Sequence, residues 1–203
     1  MTRTILLSGA TGLIGKHIVP LLIAADYNPV ILSRSTARSK KIFPQIQTHV
    51  EWSSKSNEQL QEVINGSHAV INLAGESIGA KRWSQEQKKK ILQSRLNSTN
   101  AIVECILKSD SPPQVLINAS AIGYYGISGD ELRTEESTFG SDFLAQVCVE
   151  WEKAALRASS VCHVVSPRTG VVLDAKDGAL AKMLPLFRTF LGGALRTASG
   201  RRR

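Results

Sequence analysis

Two groups of residues in this 203-residue chain have types and spacings suited to chemistry. The first is the glycine set of Ile5-Leu6-Leu7-Ser8-Gly9-Ala10-Thr11-Gly12-Leu13-Ile14-Gly15. An apolar run leads in and an apolar, helix-compatible segment follows, which reads as strand, tight turn and helix start. Gly9 makes the turn without a Cβ clash, Gly12 lets backbone approach a diphosphate, and Gly15 lets the helix pack on the strand. Thr11, Leu13 and Ile14 belong to the same turn, where free N–H groups and the helix dipole face phosphate. A glycine turn that holds nothing has the same letters; the strand before and the helix after select the dinucleotide reading. The second group is Ser120, Tyr124 and Tyr125 in Asn118-Ala119-Ser120-Ala121-Ile122-Gly123-Tyr124-Tyr125-Gly126. A hydroxyl at a strand end can polarise a substrate oxygen, and a phenol within about 3 Å of that oxygen can give it a proton. Ordinary loop packing is the alternative for the tyrosines.

The residues after the second strand select the cofactor. An NAD site carries Asp or Glu about 20 residues after the glycines to bind the ribose 2′-hydroxyl. This chain has Ser33-Arg34 there. A guanidinium forks onto a 2′-phosphate, with Ser33 as a further donor and Arg38 as an assistant, so NADP is favoured over NAD. Leu73, Ala74 and Gly75 follow the fourth strand, where small residues let ribose and diphosphate pass. Glu76, Lys81, Arg82 and Arg95 are candidates for the cleft wall, and Arg82 beside Trp83 suits an anionic substrate. Arg168 follows the last strand and is read as a substrate contact or a structural ion pair.

The elements that must position these groups alternate regularly. Strands are expected at 4–8, 29–33, 49–52, 68–73, 115–119 and 163–167, with a further extended piece at 170–173. Helices are expected at 13–25, 56–64, 84–107, 142–158 and 180–190, with 35–41 as loop or short helix and 124–140 as an irregular loop. Pro20 predicts a kink or an early end to the first helix. Strand–helix alternation calls for an α/β fold: a Rossmann-type, doubly wound parallel sheet of about six strands. Residues 1–174 are expected to form the nucleotide-binding domain and 175–203 the start of a substrate lobe.

Composition bounds the class. Apolar residues are 42% and charged residues 21%, as in globular proteins. No run approaches the roughly 18 apolar residues of a membrane span, and no signal peptide is expected, so the expected location is cytoplasmic. Cys105, Cys148 and Cys162 have no metal-ligand spacing and read as buried free thiols. The net charge of +8 includes Lys88-Lys89-Lys90 and Arg201-Arg202-Arg203. Neither run is interleaved with aromatics, so nucleic-acid binding is the weakest reading and the lysines suit a solvated helix face.

The glycine turn, Asn72-Leu73-Ala74-Gly75 and Ser120-Ala121 with Tyr124-Tyr125-Gly126 together resemble the extended short-chain dehydrogenase/reductase superfamily. With Glu76, Lys81-Arg82-Trp83, Ser94-Arg95, Asp142 to Cys148 and Trp151-Glu152, the chain is similar to an NAD(P)-dependent epimerase-like branch found in bacteria, animals and plastids. The resemblance covers residues 1 to about 193. It implies that Ser120 holds the substrate oxygen. It also implies a Tyr-x-x-x-Lys pair, which is absent: Tyr27, Tyr124 and Tyr125 are followed four residues on by Ile31, Ser128 and Gly129. Relatives of this kind continue for about another hundred residues, so the substrate lobe is expected to be incomplete and the uncovered faces to favour association, including a homodimer. The implied function is an NADP-binding oxidoreductase or epimerase-like protein acting on a small-molecule substrate. The alternative is a non-catalytic NADP-bound scaffold; some relatives carry a cell-division label, which makes a division-related protein an expected partner. A plastid stroma is the expected location if a transit peptide has been removed.

Overall fold

The structure, a computed structural model, describes residues 3–55, 57–127 and 130–189. The chain divides into two compact units, Met1–Gly170 and Val171–Arg203. The first alternates strand and helix: β1 (Arg3–Ser8), α1 (Leu13–Ala24), β2 (Tyr27–Ser33), α2 (Thr36–Ile42), β3 (Thr48–Glu51), α3 (Glu58–Ile64), β4 (Ala69–Asn72), α4 (Gln85–Leu107) and β5 (Val115–Asn118). A two-residue strand β6 (Ser120–Ala121), a 3-10 turn (Ile122–Tyr125), α5 (Phe143–Leu156), β7 (His163–Val165) and β8 (Arg168–Thr169) complete it. The second unit holds α6 (Gly178–Arg188), whose first N–H is capped by the Asp177 carboxylate at 2.7 Å.

Six strands form one parallel sheet in the order β3-β2-β1-β4-β5-β7. The order reverses beside β1, between β1 and β4, which is where a doubly wound sheet opens a crevice at its C-terminal edge. Side chains of β1 alternate between two cores. Ile5 and Leu7 pack with Val19 of α1 and with Phe43 and Ile46, while Leu6 packs with Leu60 of α3, Ile102 and Ile106 of α4 and Ala155 of α5. The sheet is therefore covered on both faces, as its continuous apolar strands require.

The ends of the three central strands are tied together by a buried polar network. Ser8, Asn72 and Asn118 are register partners across β1, β4 and β5. Ser8 Oγ donates to Asn72 Oδ1 (2.6 Å), and Asn72 Nδ2 donates to Asn118 Oδ1 (2.7 Å) and Thr99 Oγ1 (3.0 Å). Thr99 of α4 donates in turn to Asn118 Oδ1 and accepts the indole N–H of Trp151 from α5 at 2.9 Å. All of these side chains are buried. Each polar atom has a partner, which is the condition under which such a network fixes geometry rather than destabilising it.

Several element boundaries differ from expectation for identifiable reasons. β2 begins at Tyr27 because it pairs with β1 from Arg3↔Tyr27 onward; Pro29 is tolerated since pairing with β3 starts only at Val30. α1 runs through Pro20 to Ala24 rather than ending early, with Pro20 on its exposed side. Residues 36–42 are helical, opened by Ser35, whose hydroxyl accepts from Arg38 N. The last expected strand stops at Val165. The extended piece expected at 170–173 is displaced to Arg168–Thr169, which leaves the main sheet to pair with β6. The stretch 124–140 starts on the 3-10 turn and closes on itself, with Gly140 N donating to Tyr124 O at 2.9 Å. In the lysine run, Lys90 pairs with Glu86 on the exposed face of α4. The three cysteines are free thiols. Ser56, Ser128, Gly129, Phe190 and the basic, glycine-rich stretch 192–203 with Arg201, Arg202 and Arg203 lie outside the described residues.

Two glycines fail on substitution for different reasons. A Cβ on Gly15 would sit inside the backbone of Ala10, whereas Gly66 has φ +75° and open space around it. Gly15→Ala is expected to cost about 2–3 kcal/mol and Gly66→Ala about 1 kcal/mol by urea unfolding. Asn72→Ala, which takes the acceptor from Ser8 Oγ and one bond each from Thr99 and Asn118, is expected to cost about 2–3 kcal/mol in the same assay. A loss under about 0.5 kcal/mol, the level of an ordinary surface change, would show that the network does not hold the strand ends.

Candidate functional site

The first turn of α1 is open to a ligand. Gly12 is its N-cap residue, no side chain caps it, and no acid lies in its first turn. Gly9 adopts φ +70°, and a Cβ there would come within 2.6 Å of the Leu73 backbone. Gly9 therefore serves two purposes: the left-handed turn and the close approach of the β1 and β4 loops. Gly15 is buried against Ala10, as its place between helix and strand requires.

Over this turn lies a cleft of about 550 Å³. Of the residues expected to hold a cofactor, Gly9, Thr11, Gly12, Ser33, Arg34, Leu73, Ala74 and Gly75 line it. Leu13, Ile14 and Gly15 stand behind it in the first turn of α1. Arg38, Trp52, Ser54, Ser94 and Glu76 also line the cleft, so Glu76 shares the space of the expected cofactor residues. Arg82 is exposed and lines neither this cleft nor the one described below. Arg34 and Arg38 are exposed and take part in no ion pair among the described residues. Ser33 Oγ is turned onto the Ser35 carbonyl at 3.0 Å, which shapes the start of α2.

A second cluster gathers Ser120, Tyr124, Tyr125 and Arg168, which come from three elements. Glu152 of α5 joins them. Arg168 Nε and Nη2 donate to the two Glu152 oxygens, both at 2.9 Å, in a bidentate pair largely shielded from water. Ser120 Oγ donates to Glu152 Oε1 at 2.5 Å. Its proton is thus directed to the stronger, carboxylate acceptor rather than outward. Arg168 Cζ lies 3.4 Å from the Tyr124 ring centroid, and Arg168 Nη1 donates to Tyr125 Oη at 2.9 Å. Glu152 and Tyr125 together raise the Arg168 pKa still further, so this centre is a fixed positive charge. Tyr125 accepts from Arg168 and keeps its own O–H proton available. It also lines a second cleft of about 470 Å³ with Arg133, Phe139 and Asp142.

Glu152, quoted in the resemblance without a role, is the residue of this cluster that the candidate site residues did not include. Its signal was position: it falls four residues after Cys148 and seven after Ala145, both buried, so an acid occupies the inward face of α5. Cys148 lies next to this cluster, where burial pushes its thiol pKa up. Phe143 opens α5, a helix that carries neither tyrosine nor the lysine of the expected pair; its ring meets Trp83 edge-on at 5.7 Å and carries Lys88 Nζ 5.3 Å above it. Among the described residues no group of three or more His, Cys, Asp or Glu side chains could hold a metal ion. No helix among them is long and apolar enough to cross a membrane.

The chain is 41% identical over 201 residues to the chloroplastic SDR39U1 homologue of Arabidopsis thaliana, an epimerase family protein, covering 95% of this chain and 55% of that one. It is 38% identical over 197 residues to an epimerase family protein of Mycobacterium bovis, covering 96% of this chain and 62% of the relative. This chain therefore spans a little over half of the length of these relatives. Its fold superimposes on the crystal structure of human epimerase family protein SDR39U1 with NADPH, with a TM-score of 0.82 and 30% identity over 96% of this chain and 63% of that one. The nucleoside-diphosphate sugar epimerase of Corynebacterium glutamicum matches with a TM-score of 0.75 and 31% identity, over 96% of this chain and 39% of that one. The sequence matches the NAD dependent epimerase/dehydratase family over residues 5–191, and with the sheet order and the glycine turn this makes the chain a member of that family.

Proposed function

We propose that this chain is the NADP-binding part of an oxidoreductase or epimerase-like enzyme of the extended short-chain dehydrogenase class, with residues 1–174 holding the cofactor. The observation that carries the reading is the cleft over Gly9 and Gly12, lined by Arg34 just after β2 and Arg38 of α2, with Ser33-Arg34 rather than an acid following β2. The cradle fits the group: Gly9 makes the left-handed turn, the helix start is uncapped, and Arg34 and Arg38, in no ion pair among the described residues, suit a 2′-phosphate. That the human structure with TM-score 0.82 was solved with NADPH supports the same choice. Bound NADPH would supply a hydride to a carbonyl carbon, or NADP take one from an alcohol.

This chain's own part is the proton. Tyr125 is the member of the Tyr124–Tyr125 pair that gives it to the substrate oxygen, because its hydroxyl accepts from Arg168 and retains a transferable proton. The Arg168 guanidinium faces the charge that develops as the proton leaves, the part a lysine plays in the absent Tyr-x-x-x-Lys. Tyr124 supplies the face on which Arg168 rests. Ser120 and Glu152 hold Arg168 in register with the turn. The substrate proposed is a small or nucleotide-linked carbonyl or alcohol. The reducing state that suits the free thiols supports a cytoplasmic location, or a plastid stroma, the Arabidopsis relative being a chloroplastic protein.

Calorimetry with NADPH and NADH tests the cofactor. NADPH should bind at least about tenfold tighter, and Arg34→Ala should weaken NADPH about tenfold or more while leaving NADH within about twofold. Equal affinities would sink the NADP assignment. Absorbance assays of the NADPH complex with a carbonyl panel test the chemistry. Tyr125→Phe should lower turnover by about 10²–10⁴ with NADPH affinity unchanged, while Tyr124→Phe, which keeps the ring face, should lower it by less than about tenfold. NADPH binding without turnover of any carbonyl would favour the scaffold reading, for which the missing Tyr-x-x-x-Lys is the supporting observation.

A further inference from the structure

Arg95 is a shielded cation whose charge has no partner. It projects from the middle of α4 into the space beside Gly75. One nitrogen, Nη1, donates to the carbonyls of Glu76 (3.0 Å) and Ile91 (2.9 Å). The guanidinium lies over the Trp151 indole, with Cζ 5.0 Å from the ring. Trp151 is itself locked by its N–H to Thr99, a member of the buried polar network. The side chain is thus held on three sides, and a fixed guanidinium loses little further freedom when it binds.

The fourth side is open. No carboxylate lies within ion-pair distance of Arg95 among the described residues. Nε and Nη2 have no hydrogen-bond partner, and neither is sealed from solvent, since the only buried unpartnered side-chain atom among the described residues is Ser166 Oγ. Burial lowers the Arg95 pKa, with the nearby Glu76 charge offsetting part of that cost. A shielded cation without a counter-ion is unfavourable unless an anion completes it. Gly75 lines the cleft and Arg95 stands directly behind it: a Cβ on Gly75 would come within 3.1 Å of Arg95 Cζ, so only a bare glycine separates the guanidinium from the cleft. Glu76 N is meanwhile turned inward to Ser94 Oγ at 2.9 Å, so that the Gly75–Glu76 backbone is held in place.

We infer that Arg95 is a ligand-binding residue whose free guanidinium edge takes an anionic oxygen group, phosphate or carboxylate, entering the cleft over Gly75. The inference rests on the proposed cofactor cleft and adds to it a second anion contact, apart from Arg34 and Arg38. Two sources share this chemistry: the diphosphate of the cofactor, or an acidic group on the substrate.

Arg95→Gln keeps a polar side chain with N–H donors and removes the charge. Three measurements separate the outcomes: NADPH affinity by calorimetry on wild type and variant, and inorganic phosphate titrated into wild type with and without NADPH, both titrations read at the Arg95 Nε–H resonance. A loss of about tenfold in NADPH affinity in the variant assigns the anion to the cofactor. An unchanged NADPH affinity, with a saturable Nε–H shift on phosphate in the loaded wild type, assigns it to the substrate. If wild type binds no NADPH, the cofactor reading fails, while the phosphate titration without NADPH still decides whether Arg95 is an anion site. Unchanged NADPH affinity together with no saturable phosphate shift in either state overturns the inference. Arg95→Lys should restore part of whichever effect is seen; equal thermal unfolding midpoints for the three proteins exclude a folding defect as the cause.

Discussion

Asn72 holds the part of the molecule on which everything else rests. It is buried at the end of β4, between Ser8 and Asn118 on the neighbouring strands, and its amide also reaches Thr99 on α4. An amide in an apolar sheet is costly unless every donor and acceptor is met. Here they are met by residues from three strands and, through Thr99 and Trp151, from two helices. Only one register of the strands satisfies them all. The network therefore fixes the relative heights of the three central strand ends, and the loops that line the cleft leave from those ends. Asn72 Oδ1 even receives the N–H of Ala74, so the loop over the cleft is anchored to the network itself.

The two functional regions depend on this frame in different ways. The glycine turn depends on closeness: Gly9 stands against Leu73 only because β1 and β4 end at the same level. The Arg168 cluster depends on convergence. β6 and β8 leave the main sheet to pair with each other, bringing Ser120 and Arg168 side by side, and α5 swings Glu152 in from the same face that carries Trp151. Trp151 links the network to Arg95 behind Gly75, since its N–H belongs to the network and its ring face supports that guanidinium.

The repeating strands and helices were legible because a parallel sheet buried on both faces needs continuous apolar strands, and 5–7, 30–32, 69–71 and 115–117 provide them. The glycine turn was legible because its constraints are local: a positive φ at Gly9 and a backbone contact at Gly15 need no knowledge of distant residues. Glu152 and its bond to Ser120 were not, because a contact between residues 32 apart is set by where α5 docks, which no local pattern encodes. The same holds for β8: Arg168 was placed after the last strand, but its pairing with Ser120 follows from Pro167 ending one ladder and freeing the chain for another. The start of β2 was set two residues late, since Tyr27 and Asn28 are strand only through their pairing with β1.

The proposal that unites the site is that the cleft over Gly9 and Gly12 holds NADP by its diphosphate and its 2′-phosphate. A crystal structure of the chain with NADPH tests this most directly. The expected result is the diphosphate across the Gly9–Gly12 turn and the 2′-phosphate within about 3.2 Å of the Arg34 guanidinium. A cofactor bound with its 2′-phosphate directed into solvent, away from both Arg34 and Arg38, would contradict it.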